Sequence, residues 1–254
     1  MIKVLFFLFF LYLIACLLLY VKQRDLLYYP TPEASSNQAE AIWLDHGQQR
    51  LKLWKIHQHA DAIIYFGGNA DAVEDNIESF SEAFPSHSVY LVNYRGYGGS
   101  SGTPSEQALF EDALAVYDFL SSRHASISVI GRSLGSGIAV YLASQRKVDR
   151  VVLVTPYDSI KNVAQSHYPI FPARWLIKDA FDSLSRASYL TQPLLILLAE
   201  RDNTVPRKHS ENLIRALPPD TTQVEVIAGS DHGSISSKYQ YLKSLHDFFL
   251  EKNG

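Results

Sequence analysis

Gly131-Arg132-Ser133-Leu134-Gly135 is the segment whose residue types and spacing could do chemistry. A serine hydroxyl is a weak nucleophile until a base takes its proton. Glycines two residues to either side allow a turn sharp enough to push the serine oxygen out of the backbone, if a strand precedes the turn and a helix follows it. Both conditions read from the sequence. Ser126–Ile130 is a short β-rich apolar run, and Leu134–Gln145 is a helical stretch opened by the small residues Gly135, Gly137 and Ala139. The start of that helix would favour negative charge developing beside it.

A base and an acid must accompany such a serine. Of the nine histidines, His232 lies in Gly229-Ser230-Asp231-His232-Gly233, just after the apolar run Gln223–Ala228 and before the helical stretch Ser236–Leu250. There it would take the proton from Ser133 and return it to a leaving group. Asp202, in the turn after Leu194–Ala199, is the expected acid that orients the imidazole. Asp158, after Val151–Thr155, competes for that role; Asp231 is poorly placed to bond the ring next to it and reads as a helix cap, and Glu200 reads as a loop charge. A tetrahedral intermediate needs amide donors for its oxyanion. The expected donors are Leu134, directly after the serine, and Asn69, in the turn Gly67-Gly68-Asn69-Ala70 after the run Ala62–Phe66.

The rest of the chain must position these groups. Ala41–His46 and Leu51–His57 read as a strand hairpin around Gly47; Ala62–Phe66, Ser88–Tyr94, Ser126–Ile130, Val151–Thr155, Gln192–Ala199 and Gln223–Ala228 read as further strands. Continuous apolar runs suit strands buried on both faces of a parallel sheet. Helical stretches alternate with them: Val73–Phe84, Ser105–Ser122, Leu134–Gln145, Lys208–Leu217 and Ser236–Leu250. This alternation predicts an α/β domain with a mainly parallel sheet. Thr103, Pro104 and Glu106 read as the N-cap, first turn and capping box of the second helix. Residues 156–191 are too long for a simple connection and carry many aromatics, among them Tyr168, Phe171 and Trp175. They predict a short helical cap over the strand ends that lines a substrate pocket.

Every residue from Val4 to Val21 is apolar, aromatic or small, with Lys3 before the run and Lys22, Arg24 and Asp25 after it. About 20 such residues cross a bilayer as a helix. An uncleaved anchor over residues 1–24, a connector over 25–40 and a catalytic domain over 41–254 is the favoured organisation. A cleaved signal lacks a convincing small-x-small site. A lipoprotein signal at Leu13-Ile14-Ala15-Cys16 is opposed by the leucines that continue after Cys16. Positive charges flank the run on both sides, so the side of the membrane occupied by the domain is open. A net charge of −3, with no basic stripe, argues against nucleic acid as a partner. The single cysteine, Cys16, leaves no pair for a disulfide, and no histidine–cysteine cluster has metal-ligand spacing; His57 and His59 read as strand-end histidines. No metal or organic cofactor is expected.

On these stretches the chain resembles the α/β-hydrolase superfamily from about Ala41 onward, and more narrowly its single-domain, membrane-anchored serine hydrolases. Asp25-Leu26-Leu27-Tyr28-Tyr29-Pro30, Phe66-Gly67-Gly68-Asn69-Ala70, Asn93-Tyr94-Arg95-Gly96-Tyr97-Gly98-Gly99-Ser100, the Ser133 turn and the Asp202 turn carry the resemblance together. The order Ser133, Asp202, His232 is the superfamily's order. The resemblance implies hydrolysis of esters or thioesters through an acyl-enzyme, with lipid-like substrates suggested by the aromatic cap beside an anchor. An acyltransferase or short-peptide peptidase with the same three residues, or a non-catalytic membrane-tethered binding protein, are the alternatives. Two positions depart from the superfamily pattern. Gly67-Gly68 stands where His-Gly is usual, and Asn93 where Asp is frequent.

Overall fold

A computed structural model describes residues 1–250. Eight strands form one sheet: β1 Glu40–His46, β2 Gln49–Ile56, β3 Asp61–Phe66, β4 Ser88–Val92, β5 Ser126–Arg132, β6 Val151–Val154, β7 Leu194–Arg201 and β8 Thr222–Asp231. Their order is β1-β2-β4-β3-β5-β6-β7-β8. β2 pairs antiparallel with β1 and β4, and every later neighbour is parallel. The strands lie where the apolar runs predict them.

Alternate residues on a strand face opposite sides, and the two sides are covered by different helices. Ile64, Phe66, Val129 and Leu153 join a core with Val116 of α3 (Glu106–Ser121) and Ile138 of α4 (Leu134–Gln145). Ile63, Tyr65, Ile130 and Val152 join a second core with Phe80 of α2 (Ile77–Ala83) and Leu245 of α8 (Tyr239–Leu250). Both faces of the central strands are thus dry, which is why those strands read as unbroken apolar runs rather than alternating ones.

Residues 156–191 do form a cap, built from α5 (Ile160–His167), the single turn α6 (Ala173–Leu176) and a 3-10 segment, Leu184–Tyr189. α7 (Arg207–Ala216) follows β7. The start of α3 differs from the expected capping box. Ser105, not Thr103, is the N-cap, its hydroxyl accepting from the Ala108 amide at 3.3 Å. Glu106 instead reaches the cap and accepts from the Ala180 amide at 2.7 Å; burial pushes its carboxyl up from the usual range. A tertiary contact has taken the side chain that local logic assigned to the helix end.

The N-terminal helix α1 spans Ile2–Leu27, is long and apolar enough to cross a membrane, and has no buried residue. It continues past the apolar run, and its last turns dock on the cap. Arg24 Nε and Nη2 donate to Asp179 at 2.8 and 3.1 Å, and Tyr28 Oη donates to the same buried carboxylate at 3.1 Å. The connector is fastened too. Thr31 O accepts from the Gly98 amide at 3.0 Å, and Ala34 O from Lys52 Nζ at 2.7 Å.

The closest approach of a glycine to main chain lies where α4 leaves β5. A Cβ on Gly135 would stand 2.0 Å from the Phe66 carbonyl oxygen, and one on Gly131 would stand 2.4 Å from the Gly135 oxygen. Neither contact can relax without moving main chain. Gly135→Ala is therefore expected to destabilise the protein by at least the ~1–3 kcal/mol of an overpacked core. The urea midpoint of the detergent-solubilised full chain would report it, and an unchanged midpoint would contradict the packing described.

Candidate active site

Ser133 has φ 50° and ψ −117°, a conformation that costs a residue with a Cβ and is held only by its surroundings. Its amide donates to Val154 O at 2.9 Å on the neighbouring strand, and its carbonyl accepts from Ser136 Oγ at 2.7 Å. β5 and α4 clamp the turn from both ends, which leaves the hydroxyl projecting beyond the sheet.

The structure brings the other two expected residues to it from separate strand ends. His232 Nε2 lies 2.8 Å from Ser133 Oγ, and His232 Nδ1 lies 2.8 Å from Asp202 Oδ2. The acceptor carboxylate assigns the proton on the neutral ring to Nδ1, so Nε2 is free to accept from the serine. Asp202 is itself fixed: its Oδ1 accepts from the Thr204 and Val205 amides at 2.9 and 2.7 Å. Its carboxylate and the ring are largely buried, at 8% and 16% side-chain exposure, so water does not compete strongly for these bonds.

Asp158 is occupied elsewhere. It accepts from the Ser159 amide at 2.6 Å and Asn212 Nδ2 at 2.8 Å, and faces His209 Nδ1 at 3.1 Å. His209 Nε2 meets Ser166 Oγ at 2.8 Å, so this second Ser–His–Asp array fastens cap helix α5 to α7. Ser166 back-bonds to Asn162 O at 3.1 Å inside a regular helix and has no strained turn behind it. Asp231 closes its own turn, accepting from the Gly233 and Ser234 amides at 3.1 and 2.9 Å. It therefore serves the loop after β8 rather than capping α8, which begins at Tyr239. Glu200 joins β7 to β8 by accepting from the Gly229 amide at 2.7 Å. His57 Nε2 lies 3.0 Å from Ser81 O, with its ring edge-on to His59.

The turn after β3 passes close to the serine: a Cβ on Gly68 would be 3.7 Å from Ser133 Cβ. Its first carbonyl, Gly67 O, accepts from the Gly135 amide at 3.1 Å and from Tyr94 Oη at 2.7 Å. Its last, Asn69 O, accepts from Tyr97 Oη at 2.9 Å and the Tyr29 amide at 3.2 Å. Asn69 Nδ2 donates to Leu27 O at 3.0 Å, at the end of α1. The Gly68 amide is taken by Asp71 Oδ2 at 3.3 Å. Leu134 is the first residue of α4, where a helix leaves its amides without intrahelical partners. The Leu134 amide thus opens α4 directly after Ser133, and Asn69 is held by Leu27 and Tyr97 in the turn that passes the serine.

Sequence reasoning missed what surrounds these groups. Asp71 fills the space beside Gly67, where its Oδ2 would lie 2.9 Å from an added Cβ. It accepts from Tyr65 Oη at 2.6 Å and Arg132 Nη1 at 3.2 Å. Burial, then the charge of Asp71, hold the Tyr65 hydroxyl well above its ordinary value, so it keeps its proton and donates. Arg132 Nη2 reaches on to the carbonyls of His232 and Gly233, both at 3.3 Å. One guanidinium therefore ties the serine turn, the segment carrying Asp71 after β3 and the histidine loop together. The only sequence signal was an arginine beside the serine, and its partners lie far away in the chain.

The chain matches the family described as "alpha/beta hydrolase fold" over residues 61–177. It is 34% identical over 230 residues to an uncharacterized protein of Mycobacterium tuberculosis, covering 83% of this chain and 80% of the relative. It is 29% identical over 205 residues to the lysophosphatidylserine lipase ABHD12 of Macaca fascicularis, covering 70% of this chain and 52% of that one, so it spans about half the lipase's length. Among solved structures, an esterase of Pyrococcus furiosus superimposes with a TM-score of 0.70 at 15% identity, over 87% of this chain and 98% of its own.

The Arg132 bridge has a measurable consequence. A lysine keeps the charge beside Asp71, but its three donors share one nitrogen and cannot span from Asp71 to the His232 and Gly233 carbonyls as the guanidinium's two terminal nitrogens do. Loosening the histidine loop by a fraction of an ångström should slow covalent capture of Ser133 by a fluorophosphonate ~10–100-fold in Arg132→Lys. An undiminished labelling rate would mean that the loop is positioned without the guanidinium.

Proposed function

Since the chain belongs to the α/β-hydrolase superfamily, we propose that it is a serine hydrolase that cleaves carboxylic esters or thioesters through an acyl-enzyme on Ser133. The observation that carries this reading is the unbroken relay Ser133 Oγ–His232 Nε2 and His232 Nδ1–Asp202 Oδ2, each step 2.8 Å, on a serine held at positive φ.

The reaction then runs in two halves. Ser133 Oγ attacks the acyl carbon while His232 Nε2 takes its proton, and the carbonyl oxygen becomes an oxyanion facing the Leu134 and Asn69 amides. The carbon–oxygen or carbon–sulfur bond breaks, and the imidazolium protonates the departing alcohol or thiol. Water attacks the acyl-serine in the same way, giving its proton to His232, and a carboxylic acid leaves as Ser133 regains its hydrogen. Asp202 stays ionised throughout and stabilises the imidazolium.

The membrane belongs to this reading. α1 has the length and composition of a single span, and its docking on the cap would hold the relay close to a bilayer surface. A lipid ester is the substrate class in keeping with that position, and the lysophosphatidylserine lipase relative supports it.

Ser133→Ala should abolish both hydrolysis of a short p-nitrophenyl ester and fluorophosphonate labelling of the full chain in detergent; labelling that survives would sink the assignment. Asp202→Asn should preserve the fold but favour the wrong histidine tautomer, lowering kcat by as much as ~10⁴-fold. Replacement of Asp158 by Asn would not reproduce that loss, because its partner is His209. If Asp158→Asn proved the more damaging of the two, the acid would have to be reassigned.

A further inference from the structure

α1 and the cap do not pack flush. Between them lies an apolar cleft of about 140 Å³, walled by Leu19 and Leu27 on the helix and by Ala164, Tyr168, Phe171 and Leu176 on the cap. Its inner end is Leu27, whose carbonyl holds Asn69, the proposed oxyanion residue, at 3.0 Å. One residue before Asn69, the main chain of Gly68 faces Ser133. The cleft wall is therefore bonded to the turn that passes the proposed nucleophile.

On the cap side the cleft wall continues deep along α1 through Phe171. Tyr12 Oη donates to Ile170 O at 3.0 Å, and the Tyr12 and Phe171 rings stack with centroids 5.7 Å apart. Tyr12 precedes Lys22 by ten residues, about 15 Å along a helix at 1.5 Å per residue. If Lys22 and Arg24 mark the headgroup level, Ile170 and Phe171 lie at hydrocarbon depth. The cap surface there agrees: Ile170 is 73% exposed and Trp175 86% exposed. Lys178 Nζ, beside the Tyr20 ring at 4.2 Å, sits where the cap returns to the polar level. A cap tip that is apolar outward and stacked on a spanning helix is wetted by lipid.

We infer that this cleft is the acyl-chain subsite of the proposed hydrolase and that it opens sideways into the bilayer. Its occupant is the single hydrocarbon chain of a membrane-resident ester or thioester, which enters between Tyr168 and Leu19 and presents its carbonyl to Ser133 past Leu27. The inference rests on the serine-hydrolase reading for its chemistry, but the cleft and its depth do not depend on it. An apolar cavity of about 150 Å³ accepts a benzene-sized guest, so the cleft takes a segment of roughly six carbons; the rest of a longer chain stays in the lipid, and a second chain has no room.

The test uses the full chain in phosphatidylcholine vesicles. Ala164 and Ala173 both line the cleft and are only partly buried, so a larger side chain at either has room to project into it. Ala164→Trp and Ala173→Trp should each lower the ratio of kcat/KM for p-nitrophenyl palmitate to that for p-nitrophenyl acetate by ~10-fold or more, the effect of displacing about two buried methylenes. A ratio unchanged in both variants overturns the subsite. Absence of any ester hydrolysis or fluorophosphonate labelling in the unmodified protein would instead refute the hydrolase reading. A second measurement is independent of turnover: palmitic acid carrying a diazirine, irradiated in the same vesicles with Ser133→Ala protein, should crosslink to residues 19–27 and 160–177. Crosslinks confined to the outer, lipid-facing part of α1 would leave the cleft without its chain and overturn the proposal. Lipid bromines should also quench Trp175 emission, a loss absent in Trp175→Phe; no difference between the two proteins would place the cap tip outside the bilayer.

Discussion

The close approach of α4 to the C-terminal ends of β3 and β5 is the constraint on which the rest of this protein depends. Ser133 adopts a backbone conformation that costs on the order of 1–3 kcal/mol for a residue with a Cβ. It is kept there because the chain on either side cannot move. Gly131 and Gly135 lie within 2.4 Å of carbonyl oxygens at the positions a Cβ would take. The same approach lets the Gly135 amide hold Gly67 O, so the packing that strains the serine turn also fixes the turn opposite it. The strained Ser133 turn and the Gly67–Ala70 turn beside it are thus fixed by one contact between main chains.

Around that contact the protein has built a polar girdle rather than a wholly apolar one. Asp71 is the hub, and its position is linked to the glycine at 67, since any side chain there would collide with it. Gly67-Gly68 is in this sense one half of a matched change: the turn gives up a side chain, and a carboxylate bound by Tyr65 and Arg132 occupies the space. A buried carboxylate is costly unless fully paired, and here it is paired by Tyr65 of β3, Arg132 at the end of β5 and the Gly68 amide. The desolvation cost is offset by order at the site, since Arg132 spends its second nitrogen on the loop that carries His232.

The strands were legible because strands buried on both faces need continuous apolar runs, and turn residues bounded each run. Ser133, Asp202 and His232 were legible because each follows such a run, so the fold class alone brings their strand ends together. What stayed hidden was cross-chain pairing. Glu106 satisfied a local capping rule and is used by Ala180 instead. Asp158 followed a strand as Asp202 does, and only the position of His209, 51 residues away, separates their roles. Arg132 and Asp71 are 61 residues apart, and no local pattern links them.

Composition divides the chain into an anchor over 1–24, a connector over 25–40 and a domain over 41–254, and carries no mark of the contacts between them. α1 runs to Leu27, and its last carbonyl accepts from Asn69 Nδ2 in the turn beside Ser133. Asp179 is buried, and its cationic partner, Arg24, comes from that helix. Without α1 the carboxylate would face the cap interior with only the Tyr28 hydroxyl beside it, the situation in which an ion pair broken on one side costs most. Asn69 would lose Leu27 O, and the cleft would lose one wall. The helix that suits a membrane by its length and composition therefore also fastens the cap and the turn beside Ser133 by its last turns. Any tilt of α1 that relieved a mismatch with bilayer thickness would be transmitted through Leu27 to Asn69, and through Arg24 to the cap.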